Sequence, residues 1–168
     1  ILLKITMQEE RIVIVDINDN IIGSKDRSMI TYNDIYRVSS LWIINNNNEL
    51  LIQRRPSWKK NHPNLWTESA VGTVAEGEDY NTNLIKEAKE ELGIDLNPDR
   101  LRFIKSEYST DNKTFQIYGG ISIYEYNNEV LNIDKDEVPE IKWISFEMLN
   151  NMKDLKIDDI KFVPDFDR

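Results

Sequence analysis

The 168-residue sequence contains no cysteine and only one histidine, His62. Without cysteine, the chain has no disulfide, no thiolate nucleophile and no zinc–thiolate site. A single histidine excludes a metal site built from several histidines of the same chain. These two absences remove thiol and multi-histidine chemistry, and we interpret His62, which lies between Asn61 and Pro63, as a loop residue.

Basic residues are also scarce: 21 lysines and arginines accompany 30 aspartates and glutamates, which gives a net charge of −9. Non-specific nucleic-acid binding requires a basic surface, so this charge argues against a nucleic-acid partner. A small anionic substrate that is bridged through a metal ion is compatible with the same charge.

Long apolar runs are missing as well. The opening ILLKIT is short and is interrupted by Lys4, so it is too short for a membrane span and lacks the three-part layout of a signal peptide. We therefore expect a cytoplasmic protein without a membrane partner. Met7 is a candidate internal start, which would make residues 1–6 upstream additions. The length and composition predict one globular domain over residues 1–168.

Apolar spacing predicts seven strands and three helices. The Asn tract at 45–48 predicts a hairpin turn, and Gly119 and Gly120 within a strand predict a bulge or a close backbone approach. Strands interspersed with helices and hairpins indicate an α/β (α+β) fold with a mixed central sheet. The expected strands cover 10–17, 37–45, 49–54, 65–71, 101–108, 114–126 and 140–145, and the expected helices cover 82–92, 146–152 and 157–162.

The first expected helix carries three glutamates, Glu87, Glu90 and Glu91, at i, i+3 and i+4. These positions share one helix face, where like charges destabilise a helix by about 0.2–0.5 kcal/mol per pair. A bound hard divalent cation, Mg²⁺ or Mn²⁺, would offset that repulsion. Lys86 lies beside Glu90 on the helical wheel, which predicts that it pairs with this carboxylate and orients it. Taken alone, the segment KEAKEEL is more often an ordinary solvated helix face.

The flanking residues extend this pattern. Gly72 is followed six positions later by Glu78, and Gly93 and Ile94 follow the last glutamate. The whole stretch resembles the Nudix box: Gly, five residues, Glu, seven residues, Arg-Glu, an aliphatic residue, any residue, Glu-Glu, any residue, Gly and an aliphatic residue. Lys86 stands in the place of the arginine, which keeps the charge but loses the planar fork.

Resemblance to the Nudix family implies a Nudix-type α/β/α sandwich, with its core at about residues 10–150, and cleavage of a diphosphate linkage. The segment ELLIQRRPSWKKNHPNLWTESAVG resembles the isopentenyl-diphosphate isomerase-like branch of the family. Val71 and Thr73 stand where the isomerases have a catalytic cysteine and a metal-binding histidine, and Tyr36 and its neighbours replace further histidines. Valine neither donates nor accepts a proton, so we expect hydrolysis rather than isomerisation.

The resemblance also implies a metal site. Glu87 and Glu91 would be the principal ligands, and the Gly72 carbonyl would add another. Glu90 would be a further ligand or the base that activates water, and Lys86 would orient the catalytic glutamate.

Residues outside this stretch are expected to bind the substrate or to act as an alternative general base. Arg55 and Lys59 match diphosphate-binding positions of the isomerase branch, so we expect them to bind the substrate. Glu137 or Glu140 is an alternative general base, although a carboxylate on a surface strand is the more common situation.

The expected activity is Mg²⁺-dependent hydrolysis of a nucleoside diphosphate linked to another group, or of a related organic diphosphate, by water attack on phosphorus. Two alternatives stay open: a weak or inactive Nudix domain that binds a metabolite, and isopentenyl-diphosphate isomerase. The expected partner is a small-molecule diphosphate, and a homodimer is one candidate assembly.

Overall fold

The computed structural model describes residues 9–152, which form nine strands and two α-helices. The predicted helix at 157–162, Met7 and residues 1–6 lie outside the described residues. The strands are β1 (Arg11–Val15), β2 (Ile21–Asp26), β3 (Ile35–Ile44), β4 (Glu49–Arg54), β5 (Trp66–Thr67), β6 (Ala70–Thr73), β7 (Leu101–Thr110), β8 (Gln116–Glu125) and β9 (Glu140–Ser145), the helices are α1 (Tyr80–Leu92) and α2 (Phe146–Met152), and short 3₁₀ turns cover Arg27–Met29 and Pro98–Arg100.

All nine strands belong to one mixed sheet that is organised around β3. Strand β8 runs parallel to β3 along its whole length, from Ile35 opposite Gln116 to Ile44 opposite Glu125. A strand has two edges, so β1, β6 and β4 pair antiparallel with the other edge of β3 in succession. The sheet continues with β2 beside β1, β7 beside β8, and β5 and β9 beside β4. The predicted mixed central sheet is confirmed.

Strands β4 and β9 show how the sheet supports two apolar cores. Side chains alternate between the two faces of a strand. Leu51 packs into the core that also contains α1, whereas Leu50 and Ile144 pack with Leu149 of α2. The two helices therefore cover opposite faces of this part of the sheet, as in the expected α/β/α sandwich. Neither helix in residues 9–152 is long and apolar enough to cross a membrane.

Helix α1 begins at Tyr80, slightly before the predicted start, because Asp79 caps it. The Asp79 carboxylate accepts a hydrogen bond from the Thr82 N–H at 2.7 Å, and the Thr82 hydroxyl accepts one from the Asp79 N–H at 2.8 Å. Gly93 ends the helix in the predicted left-handed conformation, with φ of 66°. Three apolar side chains of the helix are completely buried in the sheet-facing core, namely Leu84, Ala88 and Leu92.

The single strand predicted at 65–71 is wrong, because this segment contributes to two strands. β5 pairs with β4 and β6 pairs with β3, so the chain changes partner between them. The buried Ser69 fixes the crossing: its hydroxyl donates to the Leu51 carbonyl at 2.7 Å and accepts from the Ile43 N–H at 2.8 Å. An alternating sequence pattern does not reveal such a change of partner.

Strand β2 has no counterpart among the predicted strands. It lies at an edge of the sheet beside β1, and all its side chains are exposed or half-buried. Because no face of β2 is buried, its sequence lacks the regular alternation from which the other strands were predicted.

The adjacent glycines of β8 differ in their surroundings. A Cβ at Gly120 would lie 2.3 Å from Cδ1 of the Tyr80 ring, so the predicted close approach is confirmed at this residue. A Cβ at Gly119 would meet nothing closer than the Glu107 carbonyl oxygen at 3.9 Å. The alternative of a bulge is wrong for these glycines, which pair in regular register, and the register shift between β7 and β8 lies within β7.

Gly120→Ala is expected to destabilise the protein by about 1–3 kcal/mol, because the added methyl group overpacks against Tyr80. Gly119→Ala is the matched control, and its free energy of unfolding should be unchanged or slightly higher, since glycine is unfavourable within a strand. Urea unfolding of both variants measures the difference. Equal stabilities would contradict this difference in packing.

Candidate functional site

The acidic site begins with a close contact between β6 and α1. A Cβ at Gly72 would lie 2.4 Å from Cγ of Glu87, so glycine allows the strand to approach the helix here. The Gly72 carbonyl accepts a hydrogen bond from the Ser39 hydroxyl at 3.3 Å. Two of the predicted metal ligands, Gly72 and Glu87, are therefore brought together.

The loop between β6 and α1 returns Glu78 to the helix. Asn83, which is fully buried, donates from Nδ2 to Glu78 at 2.8 Å and to the Thr73 carbonyl at 3.2 Å. Glu78 also accepts from the Ala75 N–H at 3.0 Å. Asn83 thus builds the site although it was not among the predicted residues, because asparagine on a helix gives no sequence signal of such a partner.

The predicted pairing of Lys86 with Glu90 is wrong. Lys86 Nζ lies 2.8 Å from a Glu78 carboxylate oxygen, and 3.7 Å and 3.8 Å from those of Glu87 and Glu10. The helical wheel contains no information on the loop that carries Glu78. Although burial lowers it, the hydrogen bond and charge of Glu78 hold the pKa of Lys86 above its ordinary value. Glu90 is exposed, and its side chain makes no hydrogen bond or ion pair within residues 9–152.

Two glutamates of α1 are half-buried. Burial raises the pKa of Glu91 to about 7, even though the Gln53 amide donates a hydrogen bond to its carboxylate at 2.8 Å. Burial also raises the pKa of Glu87, against the opposing charge of Lys86. Both carboxylates therefore lie where too little positive charge compensates them. Hard oxygen donors in such surroundings suit a divalent cation.

The full ligand set stays a prediction. In the arrangement of residues 9–152, no three acidic or histidine side chains converge as the ligands of one metal ion do. The fit of Glu87, Glu90, Glu91 and the Gly72 carbonyl to a metal ion rests on the donor chemistry and on the burial of two of the carboxylates.

Gln53 is a site residue that was absent from the predicted set. It is buried in β4 opposite Thr67 of β5, and its side chain reaches Glu91 of α1. The sequence signal is a polar residue at the end of the apolar run LLIQ. Only the packing of the helix on this strand identifies its partner.

The loop between β4 and β5 brings a predicted substrate residue to the acidic site. Lys59 Nζ forms an ion pair with Glu137 at 2.9 Å, so the predicted lysine and the alternative base lie together. Besides burial, the charge of Lys59 lowers and that of Glu137 raises the pKa of Glu91. Trp58 Nε1 donates to the Asp136 carbonyl at 2.9 Å, which ties the loop to the segment that carries Glu137.

Arg55 begins the same loop. Its Nε donates to the Asn61 carbonyl at 3.1 Å. Burial lowers the pKa of the guanidinium, while the negative charges of Glu91 and Glu68 oppose that shift. The predicted substrate residue Arg55 is thus under the electrostatic influence of both Glu91 and Glu68.

A cavity of about 350 Å³ lies on the face of the sheet opposite α1. This volume is at the lower end of the roughly 300–1,000 Å³ typical of small-molecule sites. Alternate residues of β3 face opposite sides of the sheet: Leu41 and Ile43 face the core under α1, whereas Val38 and Ser40 line the cavity. Arg55 also lines it, so the cavity adjoins the acidic site.

Three residues noted in the sequence lie in this cavity wall. His62 is a loop residue as predicted, with a left-handed φ of 51°. Val71 and Tyr36, which stand where the resembling isomerases have a cysteine and histidines, also line the cavity. The cavity itself was not predicted, because it requires knowledge of which strands are neighbours.

The chain matches a known protein family and has relatives of known name. The model of the NUDIX domain matches residues 35–166 of the chain. Isopentenyl-diphosphate Delta-isomerase 2 of Photorhabdus laumondii is 29% identical over 153 residues, which cover 88% of this chain and 86% of that protein. The prenyl-diphosphate phosphatase of Methanosarcina mazei is 31% identical over 137 residues, which cover 81% of this chain and 79% of that protein.

A solved structure supports the same fold. DR0079 from Deinococcus radiodurans matches with a TM-score of 0.68 over 86% of this chain and 88% of its own, at 22% sequence identity. At that identity the likeness concerns the fold alone.

Glu91→Gln is expected to stabilise the metal-free protein near pH 8 by on the order of 2 kcal/mol, because the amide places no charge in the buried site. The direction of this change in stability follows from the raised pKa of Glu91. The folded carboxyl holds its proton more tightly than the unfolded one, so stability falls as pH rises from about 4.5 to about 7. Below about pH 4 both states are protonated and the difference between the variants should shrink.

Urea unfolding of Glu91→Gln and of the unaltered chain, in EDTA at both pH values, measures this difference. A gain of stability that is the same at low and high pH, or a loss at pH 8, would show that Glu91 is not a desolvated carboxylate.

Proposed function

The chain belongs to the NUDIX domain family and is a hydrolase of that family, and from this premise we propose that it cleaves the diphosphate linkage of a small molecule. The substrate is a nucleoside diphosphate joined to another group, or a related organic diphosphate, and the cofactor is Mg²⁺ or Mn²⁺. The observation that carries the proposal is the pair of desolvated carboxylates, Glu87 and Glu91. Glu87 packs against Gly72, and Glu91 interacts electrostatically with Arg55 and Lys59.

We assign Glu87, Glu91 and the Gly72 carbonyl to holding the metal ion. Bound there, Mg²⁺ or Mn²⁺ would neutralise phosphate oxygens and lower the pKa of a water molecule. Glu90 is exposed on the same helix. Its carboxylate can complete the ligand set or take the proton of the attacking water.

Two lysines support these acids. Lys86 Nζ lies 3.7 Å from Glu87, so its charge reduces the repulsion among the carboxylates and positions this one. Lys59 holds Glu137, the second candidate for the base. A diphosphate that binds Lys59 would compete for the ammonium and release the Glu137 carboxylate for proton transfer.

The relatives support an organic diphosphate as substrate. One is named for phosphatase activity on prenyl diphosphates and the other for isomerisation of isopentenyl diphosphate. Hydrolysis suits this chain better, because Val71 of the cavity wall has no proton to exchange with a double bond. Arg55 and Lys59 would bind diphosphate oxygens, since both are cations beside the acidic site.

Turnover of a diphosphate panel tests the proposal. The full chain should release phosphate products from at least one organic or nucleoside diphosphate with Mg²⁺ or Mn²⁺ and not with EDTA. Glu90→Gln and Glu91→Gln should abolish this turnover and remain folded, because both lose the charge that holds the metal ion or accepts the proton. Glu147→Gln, an exposed glutamate of α2, is the matched control.

The outcomes separate the alternatives. Unchanged turnover in Glu90→Gln and Glu91→Gln would refute the roles given to these residues. Binding of a diphosphate without metal-dependent turnover would identify a metabolite-binding domain, and interconversion of isopentenyl diphosphate would identify an isomerase.

Arg55→Ala is expected to raise KM by about 10–100-fold with a smaller change in kcat, because hydrogen bonds to charged groups contribute about 1.5–3 kcal/mol. Steady-state kinetics on the best substrate of the panel measures both constants. Arg102→Ala is the control, since Arg102 is an exposed arginine that pairs with Glu125 at 2.9 Å. A KM equal to that of the unaltered chain would remove Arg55 from the substrate site.

A further inference from the structure

The cavity floor consists of neighbouring side chains from three strands of the sheet. Ser40 of β3 stands between Val71 of β6 and Ile121 of β8. Two positions earlier in β3, Val38 stands beside Gly119 of β8. All five residues line the cavity. Within this floor, only the Ser40 side chain has a polar atom, so the surface that a ligand would cover is mainly apolar.

Charged side chains lie on the sides of the cavity. Arg55 and Glu68 are on the side next to the acidic site, and Glu107 is on the side formed by β7. The Ser40 hydroxyl is directed to Glu68, at 3.4 Å, and Lys105 pairs with Glu107 at 2.6 Å. Two carboxylates at the sides disfavour a second anionic group within the cavity, whereas an uncharged group meets no such repulsion.

Gly119 determines how much of the floor is open. A Cβ at this position would approach no atom closer than 3.9 Å, so packing does not require glycine there. By contrast, Gly72 and Gly120 lie against Glu87 and Tyr80. A glycine within a strand lowers the free energy of unfolding by about 0.5–1 kcal/mol relative to alanine. Gly119 therefore lowers stability, and its structural effect is additional space in the cavity.

We propose that this cavity binds an apolar, uncharged organic group of the diphosphate substrate, and that Gly119 determines specificity because its missing side chain provides the space. The inference rests on the proposed hydrolase function, in which the diphosphate lies at Arg55 and its organic group extends away from Glu91. The chemical class is a hydrocarbon diphosphate. A nucleoside needs several converging hydrogen-bonding groups. The floor provides the Ser40 hydroxyl, and the other uncharged polar side chains of the lining, Asn61, His62 and Thr67 among them, lie outside that floor.

The test uses a graded series, Gly119→Ala, Gly119→Val and Gly119→Leu, in the full chain with Mg²⁺. Geranyl diphosphate represents the hydrocarbon class and ADP-ribose represents the nucleoside class. Glu125→Leu, at the exposed end of the same strand and outside the cavity, is the control for adding an apolar side chain to β8. Thermal unfolding establishes that each variant is folded.

The unaltered chain should hydrolyse geranyl diphosphate with a higher kcat/KM than ADP-ribose. KM for geranyl diphosphate should rise with side-chain size at residue 119, by about 10-fold or more for Gly119→Leu, because the new side chain occupies the space of the hydrocarbon. The kcat should change by less than about twofold, since the acids of α1 are untouched. Glu125→Leu should resemble the unaltered chain.

Three results would overturn the inference: a preference of the unaltered chain for ADP-ribose, a KM for geranyl diphosphate that does not respond to Gly119→Leu, or a loss of kcat alone. If the unaltered chain hydrolyses no diphosphate, calorimetric titration with geranyl diphosphate tests the cavity assignment independently of the hydrolase proposal. Binding that Gly119→Leu removes would uphold the cavity assignment while the hydrolase proposal fails. Absence of binding to the unaltered chain would overturn the cavity assignment as well.

Discussion

The contact between Gly72 of β6 and Glu87 of α1 is the constraint on which the acidic site depends. A side chain at residue 72 would occupy the position of Glu87 Cγ, so the helix approaches the strand where that side chain is missing. The approach packs the Glu87 side chain against the strand, where burial raises the pKa of its carboxyl. It also fixes the rotation of α1, so that Leu84 and Leu92 enter the core while Glu90 stays exposed.

Carboxylates buried without enough positive charge reduce stability, and the surrounding fold limits this effect with individual polar contacts. Gln53 donates to Glu91, and Lys86 lies near Glu87. These contacts do not restore ordinary pKa values, since both carboxyls remain harder to ionise than in water. Strongly shifted acids in a cleft are typical of functional sites, where a ligand or metal ion supplies the missing charge.

Features that depend on nearby residues in the chain could be predicted from the sequence. The left-handed Gly93 and the Asn turn before β4 follow from local backbone preferences, and the apolar spacing of α1 follows from helical periodicity. The partner of Lys86 could not be predicted in this way. Glu78 approaches Lys86 from a loop, and a helical wheel does not represent the path of that loop. Gln53 and the cavity depend on strand neighbours that are distant in sequence, and a periodic pattern contains no information about such neighbours.

Strand β3 contributes alternate residues to the core and to the cavity, and this limits how the gene can change. A one-residue insertion or deletion within β3 would exchange the two sets, placing Ser40 and Trp42 under α1 and Leu41 and Ile43 in the cavity. Core packing and ligand binding would then fail together. Viable length variation is therefore expected in the connections between strands, whereas β3 itself can diverge only by substitution.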